Sequence, residues 1–115
     1  MKTKRLNREI TGQVFQQEVI RNPKITLVQF KTEWSGACQI IAPIYEELAK
    51  SYEGTVHFYS IDIEKEQALE DEYGIMELPT ILFFKNGKVI DHVIGMTPRN
   101  VLIHKIETAL QPYSN

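Results

Sequence analysis

The chemistry that this sequence suggests centres on one thiol. Residues 34–38 read Trp-Ser-Gly-Ala-Cys, and Cys38 is the only cysteine among the 115 residues. The segment follows an apolar stretch and precedes a helical pattern, where a Cys-x-x-Cys redox motif would place two thiols. Ser35 stands in place of the first one. The chain therefore cannot close such a disulfide within itself.

Ser35, Cys38 and Trp34 each also have an interpretation that needs no redox chemistry. Ser35 is a good helix N-cap, and capping alone would account for it. In the first turn of the helix the dipole would favour a Cys38 thiolate, whereas burial would leave Cys38 an inert small hydrophobe. Trp34, at a loop–helix junction, marks either a contact surface or the lining of a core or groove. These alternatives stay open at the level of the sequence.

Other kinds of site are not predicted. His57, His92 and His104 are scattered and lack the spacing of metal ligands. No phosphate-binding loop or pair of catalytic carboxylates is visible. We therefore expect no metal and no cofactor.

Composition indicates one globular domain over residues 1–115, with a core from about 10 to 111. Hydrophobic residues make up 43% of the chain, charged residues 24%, and the net charge is −2. Residues 1–8 carry four basic side chains among polar ones, which we interpret as a flexible end and not as a nucleic-acid-binding arm.

The same features predict the surroundings of the protein. No apolar stretch approaches the length needed to span a membrane, and no hydrophobic region follows the basic end as in a signal peptide. A single cysteine suits a reducing compartment. We expect a cytoplasmic, soluble monomer that contacts neither a membrane nor nucleic acid.

The elements that position the thiol follow from apolar periodicity and turn residues. The pattern predicts helices over 11–21, 36–52 and 66–73, and strands over 25–30, 56–63, 80–85 and 88–94. Thr11 is a possible N-cap, and Thr97-Pro98 predicts the start of a last helix. Pro43 predicts a kink in the second helix.

The order of these elements predicts the fold class. A strand–helix–strand unit makes its two strands parallel, and Asn86-Gly87 between the last two strands is a strong hairpin signal. The sequence therefore predicts a three-layer α/β fold, in which a central mixed β-sheet has helices on both faces.

Several segments together resemble the thioredoxin family. They are residues 27–38 continued by Ile41-Ala42-Pro43, Tyr73–Thr80, Phe84–Gly87, and Val93-Ile94-Gly95. The similarity spans roughly residues 10–111, with every landmark in order. It implies the thioredoxin fold, a role in thiol and redox homeostasis, and a protein or thiol-containing protein as partner.

The resemblance also implies roles for individual residues. Ser35 holds the position of the attacking cysteine, and Cys38 that of the more buried resolving cysteine. Pro79 corresponds to a cis-proline that faces the motif. Leu78 corresponds to the residue whose backbone pairs with an extended substrate.

Trp34 and Gly95 fall where the family lines its substrate groove.

The sequence departs from the family pattern around the motif. Gln29 and Ser60 replace a buried Asp–Lys pair that handles the proton of the resolving cysteine. Removing one partner alone would leave a buried charge and cost about 3–5 kcal/mol, whereas replacing both avoids that penalty.

Lys31 replaces an aromatic residue, Ala37 a proline, and Glu77 a glycine that lets the substrate backbone approach.

The sequence leaves three functions to consider. The protein could capture a partner in a mixed disulfide through Cys38 alone, or be a redox-inactive binding module that uses the groove. Ordinary disulfide reduction is disfavoured because it needs two thiols.

Overall fold

A computed structural model describes residues 7–112, which form a five-stranded sheet between two layers of helices. The strands are β1 (Asn7–Glu9), β2 (Thr26–Lys31), β3 (His57–Asp62), β4 (Thr80–Lys85) and β5 (Lys88–Ile94). The helices are α1 (Gly12–Phe15), which continues as a π-helical segment (Gln16–Ile20), then α2 (Gly36–Ser51), α3 (Gln67–Glu72) and α4 (Arg99–Ala109).

The sheet is mixed, as predicted. Its order is β1-β3-β2-β4-β5. β3 pairs in parallel with β1 and with β2, whereas β4 is antiparallel to β2 and to β5. The three-layer α/β fold is confirmed.

Side chains alternate along β2 between two separate cores. Leu27 belongs to the core beneath α2 and α4, and Val28 and Phe30 belong to the core on the α1 and α3 side. Because both faces of the strand are covered, it reads as a nearly continuous apolar run. On the α2 side the buried Tyr45 hydroxyl donates to the backbone carbonyl of Tyr59 at 2.7 Å, which ties the helix to β3.

Residues 7 and 8, at the end of the segment that we predicted to be flexible, lie in β1. The guanidinium of Arg8 contacts the Glu18 carboxylate at 2.9 Å and lies 5.4 Å from the centre of the Tyr59 ring. The rest of that prediction falls on residues 1–6, outside the described residues.

The first helix is less regular than predicted. Thr11 occupies the N-cap position, but its side chain makes no capping hydrogen bond. After one turn the helix widens into the π-helical segment. At the end of that segment the Arg21 N–H donates to the Gln16 carbonyl at 2.9 Å. Apolar spacing cannot distinguish the two helix types over so short a segment.

The start of α4 also differs from the prediction. Pro98 and not Thr97 is the N-cap residue, and it has no side-chain donor or acceptor to cap with. The Thr97 hydroxyl instead donates to the Gly95 carbonyl at 3.1 Å. Thr97 therefore closes the turn after β5.

The hairpin predicted at Asn86-Gly87 is confirmed. Lys85 pairs with Lys88, and the two turn residues have φ of 52° and 80°, as a type I′ turn requires. A Cβ at Gly87 would lie 2.6 Å from the Ile20 carbonyl oxygen, so the turn also packs against the end of the π-helical segment. The positive φ and the lack of space for a Cβ both require glycine at position 87.

The second helix runs unbroken through Pro43. Ile40 of this helix is 58% exposed, whereas Ile41 beside it is buried. None of the helices within residues 7–112 is long and apolar enough to cross a membrane.

Candidate functional site

The candidate site lies at one edge of the sheet, where four strand ends meet. Phe30 near the end of β2 is in register with Thr80 at the start of β4, and Thr80 is in register with Ile94 at the end of β5. Lys31 is in register with Asp62 at the end of β3. The loops that extend from these ends therefore lie side by side, and we call this region the site edge.

The loop between β2 and α2 is held by its own polar groups. The Trp34 N–H donates to the Thr32 hydroxyl at 3.2 Å, and the Ser35 N–H donates to the Thr32 carbonyl at 3.4 Å. Ser35 is extended, with φ −85° and ψ 119°, and its hydroxyl accepts the Cys38 N–H at 3.2 Å. Ser35 is thus the N-cap of α2, as its residue type predicted.

Cys38 is the third residue of the helix and is only 4% exposed. It is a free cysteine. Its burial opposes access by a large reactant. The Ser35 hydroxyl occupies the place from which a first thiol would act, so this thiol has no sulfur partner within the chain.

The segment before β4 is anchored to the end of β5. The Leu78–Pro79 peptide bond is cis, and Pro79 is buried. Gly95 donates its N–H to the Pro79 carbonyl at 2.7 Å, and the Thr80 hydroxyl donates to the Glu77 carbonyl at 2.6 Å. These bonds fix Pro79 and Gly95 beside each other at the site edge, with Leu78 half-buried between Glu77 and Pro79.

Exposed apolar side chains surround these anchored loops. Trp34 is 79% exposed and Met76 is 96% exposed, and Ile94 and Met96 are exposed as well. We call these four residues the apolar rim. Isolated exposed apolar residues are ordinary, but several at one sheet edge are typical of a contact surface. Trp34 therefore has the exposed position that the contact-surface interpretation requires.

Sequence reasoning missed Met76 and Ile94. The apolar residue at position 76 precedes the Glu77–Pro79 loop, and its position outside any strand or helix was the available signal. Ile94 was assigned to a strand without regard to its face. Val93 packs in the core on the α2 side, so strand alternation turns Ile94 the other way.

A neutral pair lies beneath the site. Gln29 and Ser60 are in register on neighbouring strands and are both buried. By strand alternation they share the face of Leu27, the face that α2 covers. Among residues 7–112 the Gln29 Nε2 group finds no hydrogen-bond partner. These two positions therefore supply polar groups without charge.

Lys31 does not reach over the site as a free cation. Its ammonium contacts a carboxylate oxygen of Glu9 at 2.9 Å, and Lys65 contacts the other oxygen at 3.5 Å. The Lys31 hydrogen bond is the main reason that the pKa of Glu9 lies below its usual value. In the described part of the chain no three His, Cys, Asp or Glu side chains are grouped to hold a metal ion.

The site contains one thiol at a helix start, a cis-proline and an adjoining glycine. Comparison with known proteins agrees with this description. A family model described as thioredoxin matches residues 7–108. The chain belongs to the thioredoxin family.

Relatives in this family cover most of the chain. It is 36% identical over 99 residues to thioredoxin 2 of Chlorobaculum tepidum, covering 86% of this chain and 91% of that protein. It is 32% identical to thioredoxin 1 of a Nostoc species, covering 89% and 95%. The crystal structure of Malassezia sympodialis thioredoxin superposes with a TM-score of 0.81 at 28% identity, covering 93% of this chain and 94% of that one.

Proposed function

We propose that this thioredoxin-like protein binds an extended segment of a partner protein at the site edge, and that its own thiol chemistry is limited at most to Cys38. The contrast between an exposed apolar rim and a buried thiol carries this proposal. Trp34 and Met76 offer 79% and 96% of their surface, whereas Cys38 offers 4%. A partner can therefore contact the exposed apolar rim directly, whereas the buried sulfur of Cys38 is not accessible to it.

Fixed backbone geometry supports the same function. Leu78 precedes the buried Pro79, whose carbonyl is held by Gly95, so the loop presents a constant shape. An extended segment can add its own backbone to such a loop while its side chains contact the apolar rim. Leu78, Pro79, Gly95 and Trp34 are the substrate-binding residues of this proposal.

The test compares partner capture by four forms of the full chain in native lysate, with and without reductant. They are wild type, Cys38→Ala, Trp34→Ala and, as a matched control, Val89→Ala. Val89 is exposed but lies at the opposite end of β5 from the site edge. Quantitative mass spectrometry should show the same partners for wild type, Cys38→Ala and Val89→Ala, and fewer for Trp34→Ala.

Loss of the partners in Cys38→Ala, with their release from wild type by reductant, would contradict non-covalent binding. It would favour a second candidate, in which Cys38 forms a mixed disulfide. That candidate is supported by the position of Cys38 in the first turn of α2, next to the loop that carries Trp34. The thiolate would attack one sulfur of a partner disulfide, forming a bond to Cys38 and releasing the other sulfur as a thiolate.

Labelling of Cys38 by a bulky maleimide distinguishes the candidates directly. Exchange needs a reachable thiolate, so the second candidate requires labelling in the native protein. Protection of the thiol until the chain is denatured would exclude it. Ordinary disulfide reduction, in which a second thiol of the same chain releases the product, is not proposed because position 35 is a serine.

The proposal treats the chain as one domain acting as a monomer in the cytoplasm. A single cysteine that persists as a thiol suits a reducing compartment. Sedimentation of the purified chain and imaging of a tagged form would test these two points. Neither is required for binding at the site edge.

A further inference from the structure

The most unusual charge at the site edge is that of Glu77. Its carboxylate oxygen Oε2 lies over Gly95, so closely that a Cβ on Gly95 would collide with it. Gly95 has φ +76°, a conformation that side-chain-bearing residues rarely adopt. Glycine at this position thus leaves room for the carboxylate of Glu77, which occupies the surface beside Pro79.

Two hydrogen bonds fix the backbone that carries Glu77. Its own carbonyl accepts the Thr80 hydroxyl at 2.6 Å, and the nearby Pro79 carbonyl accepts the Gly95 N–H at 2.7 Å. The carboxylate is therefore presented from an anchored loop and not from a free chain end. The backbone that carries the carboxylate is therefore already ordered before a ligand approaches it.

No cation within residues 7–112 forms an ion pair with Glu77. Lys31, which ends the neighbouring β2, is engaged by Glu9 at 2.9 Å. The exposed residues next to Glu77 and Gly95 in sequence are Met76, Ile94 and Met96, which are apolar. The site edge thus sets the exposed Glu77 carboxylate among apolar neighbours, while Glu33 beside Trp34 is a further exposed carboxylate of this region.

From this arrangement we infer that Glu77 selects partner segments that carry a lysine or arginine beside an apolar residue. The inference rests on the proposed binding function and names the chemistry of its partner. A lysine or arginine stem can lie along Met76 and Met96 while its cation meets the Glu77 carboxylate. Displacement of water by the apolar rim strengthens that attraction relative to an open surface.

The charge of Glu77 is separable from its bulk. Glu77→Gln keeps the shape over Gly95 and removes the charge, and Glu77→Lys reverses the charge. Glu53→Gln is the matched control, because Glu53 is exposed beyond the C-terminal end of α2, the opposite end from Ser35. Each variant changes net charge without touching the core.

The experiment passes a pool of blocked, randomised, cysteine-free peptides over immobilised full-length protein and sequences the bound fraction. Wild type and Glu53→Gln should enrich Lys and Arg at one position relative to the input pool. Glu77→Gln should lose that enrichment while still binding apolar peptides, and Glu77→Lys should enrich Asp and Glu there instead.

An enriched peptide and its Lys→Gln partner are then titrated against each protein, using the fluorescence of Trp34, the only tryptophan. Wild type should bind the lysine peptide about fivefold more tightly, as expected for a favourable surface ion pair. The preference should shrink in high salt, which screens exposed charges. Glu77→Gln should bind the two peptides equally.

The outcomes separate this inference from the proposed function. The role of Glu77 would be overturned if wild type bound apolar peptides without enriching Lys or Arg, or if Glu77→Gln kept that enrichment. Either result would leave groove binding intact. Peptides retained equally by immobilised wild type and immobilised Trp34→Ala would overturn the binding site itself. If no peptide is enriched over the bare support, both proposals are wrong.

Discussion

The Ser35 hydroxyl accepts the backbone N–H of Cys38 at 3.2 Å, so the residue in place of a first thiol caps the helix that carries the second. A helix leaves its first N–H groups without partners inside the helix, and a capping oxygen satisfies one of them. The capping interpretation of Ser35 therefore has a direct structural basis.

Loss of the cap should destabilise the protein. In Ser35→Ala the Cys38 N–H loses its acceptor, and we expect the free energy of unfolding to fall by about 1 kcal/mol. Urea unfolding followed by circular dichroism measures it. Ser51→Ala, at the other end of the same helix, is the control and should change stability by less than about 0.5 kcal/mol. Equal effects of the two changes would show that capping is unimportant.

Restoring a thiol at position 35 should restore a disulfide. In oxidised Ser35→Cys the two cysteines lie on either side of the first helical turn, and mass spectrometry should detect the loss of two hydrogens with no thiol left to label. The wild type should reduce a disulfide substrate no faster than the added dithiol alone, because it has one cysteine. Ser35→Cys should exceed that background.

Steady reduction by wild type above the background would refute the claim that Ser35 ends two-thiol turnover. Cys38→Ala provides the matched control, since it removes the remaining thiol and should equal wild type in this assay. A Ser35→Cys protein that keeps two free thiols under oxidant would show that the loop geometry no longer permits the bond.

The buried Gln29 is expected to cost stability. Its Nε2 group has no hydrogen-bond partner among residues 7–112, and an unsatisfied buried donor is unfavourable. Gln29→Met keeps the length of the side chain and removes the donor, so the free energy of unfolding should rise by about 1 kcal/mol. Gln29→Ala should lower it by about 2 kcal/mol because it leaves a cavity. Chemical denaturation distinguishes the two signs, and a loss in Gln29→Met would indicate an unseen partner.

Glu18 and Tyr59 should make stability depend on pH at both extremes. Hydrogen bonds first from Arg8 and then from Tyr59 hold the pKa of Glu18 below its usual 4.5. A lowered pKa in the folded state means that the stabilisation is present above pH 4.5 and is lost as pH falls below it. Burial and then Glu18 raise the pKa of Tyr59 to about 12. That contribution is present below pH 10 and is lost as pH rises toward 12.

Unfolding curves recorded across this pH range test the pair. Glu18→Gln should flatten the acid decline, and Tyr59→Phe should flatten the alkaline decline. Glu53→Gln, which changes an exposed carboxylate elsewhere, should leave the shape of both limbs unchanged. Parallel curves for wild type and Glu18→Gln would show that Glu18 does not carry the acid dependence.

Much of the fold followed from the sequence because local signals and tertiary structure agree. The apolar β2 run, the Asn86-Gly87 turn and the βαβ order all have local causes, and the structure contains each. β1 was missed since Asn7–Glu9 has no apolar alternation, and pairing with β3 alone makes it a strand. The π-helical segment ends at Ile20 against the hairpin turn at Gly87, a contact between distant parts of the chain that local apolar spacing does not encode.

The candidate site was predictable in its parts and not in its arrangement. Residue type indicated that Ser35 caps a helix, and the motif indicated that Cys38 lies in the first turn of that helix. The position of the Glu77 carboxylate over Gly95 could not be inferred, because it depends on a side-chain direction between two loops. Exposure of Met76 likewise depends on how the loop before β4 turns.

The contact between the Gly87 turn and the Ile20 carbonyl has a consequence for synthesis of the chain. Proteins are made from the N-terminus, and contacts between distant residues form only after both exist. β1 must wait for β3 at residues 57–62, and the segment after it must wait for Phe84 and Gly87. Within this domain, β1 and α1 are thus made before the elements that they pack against, and they stay unpartnered until β3 and the turn at Gly87 have been made.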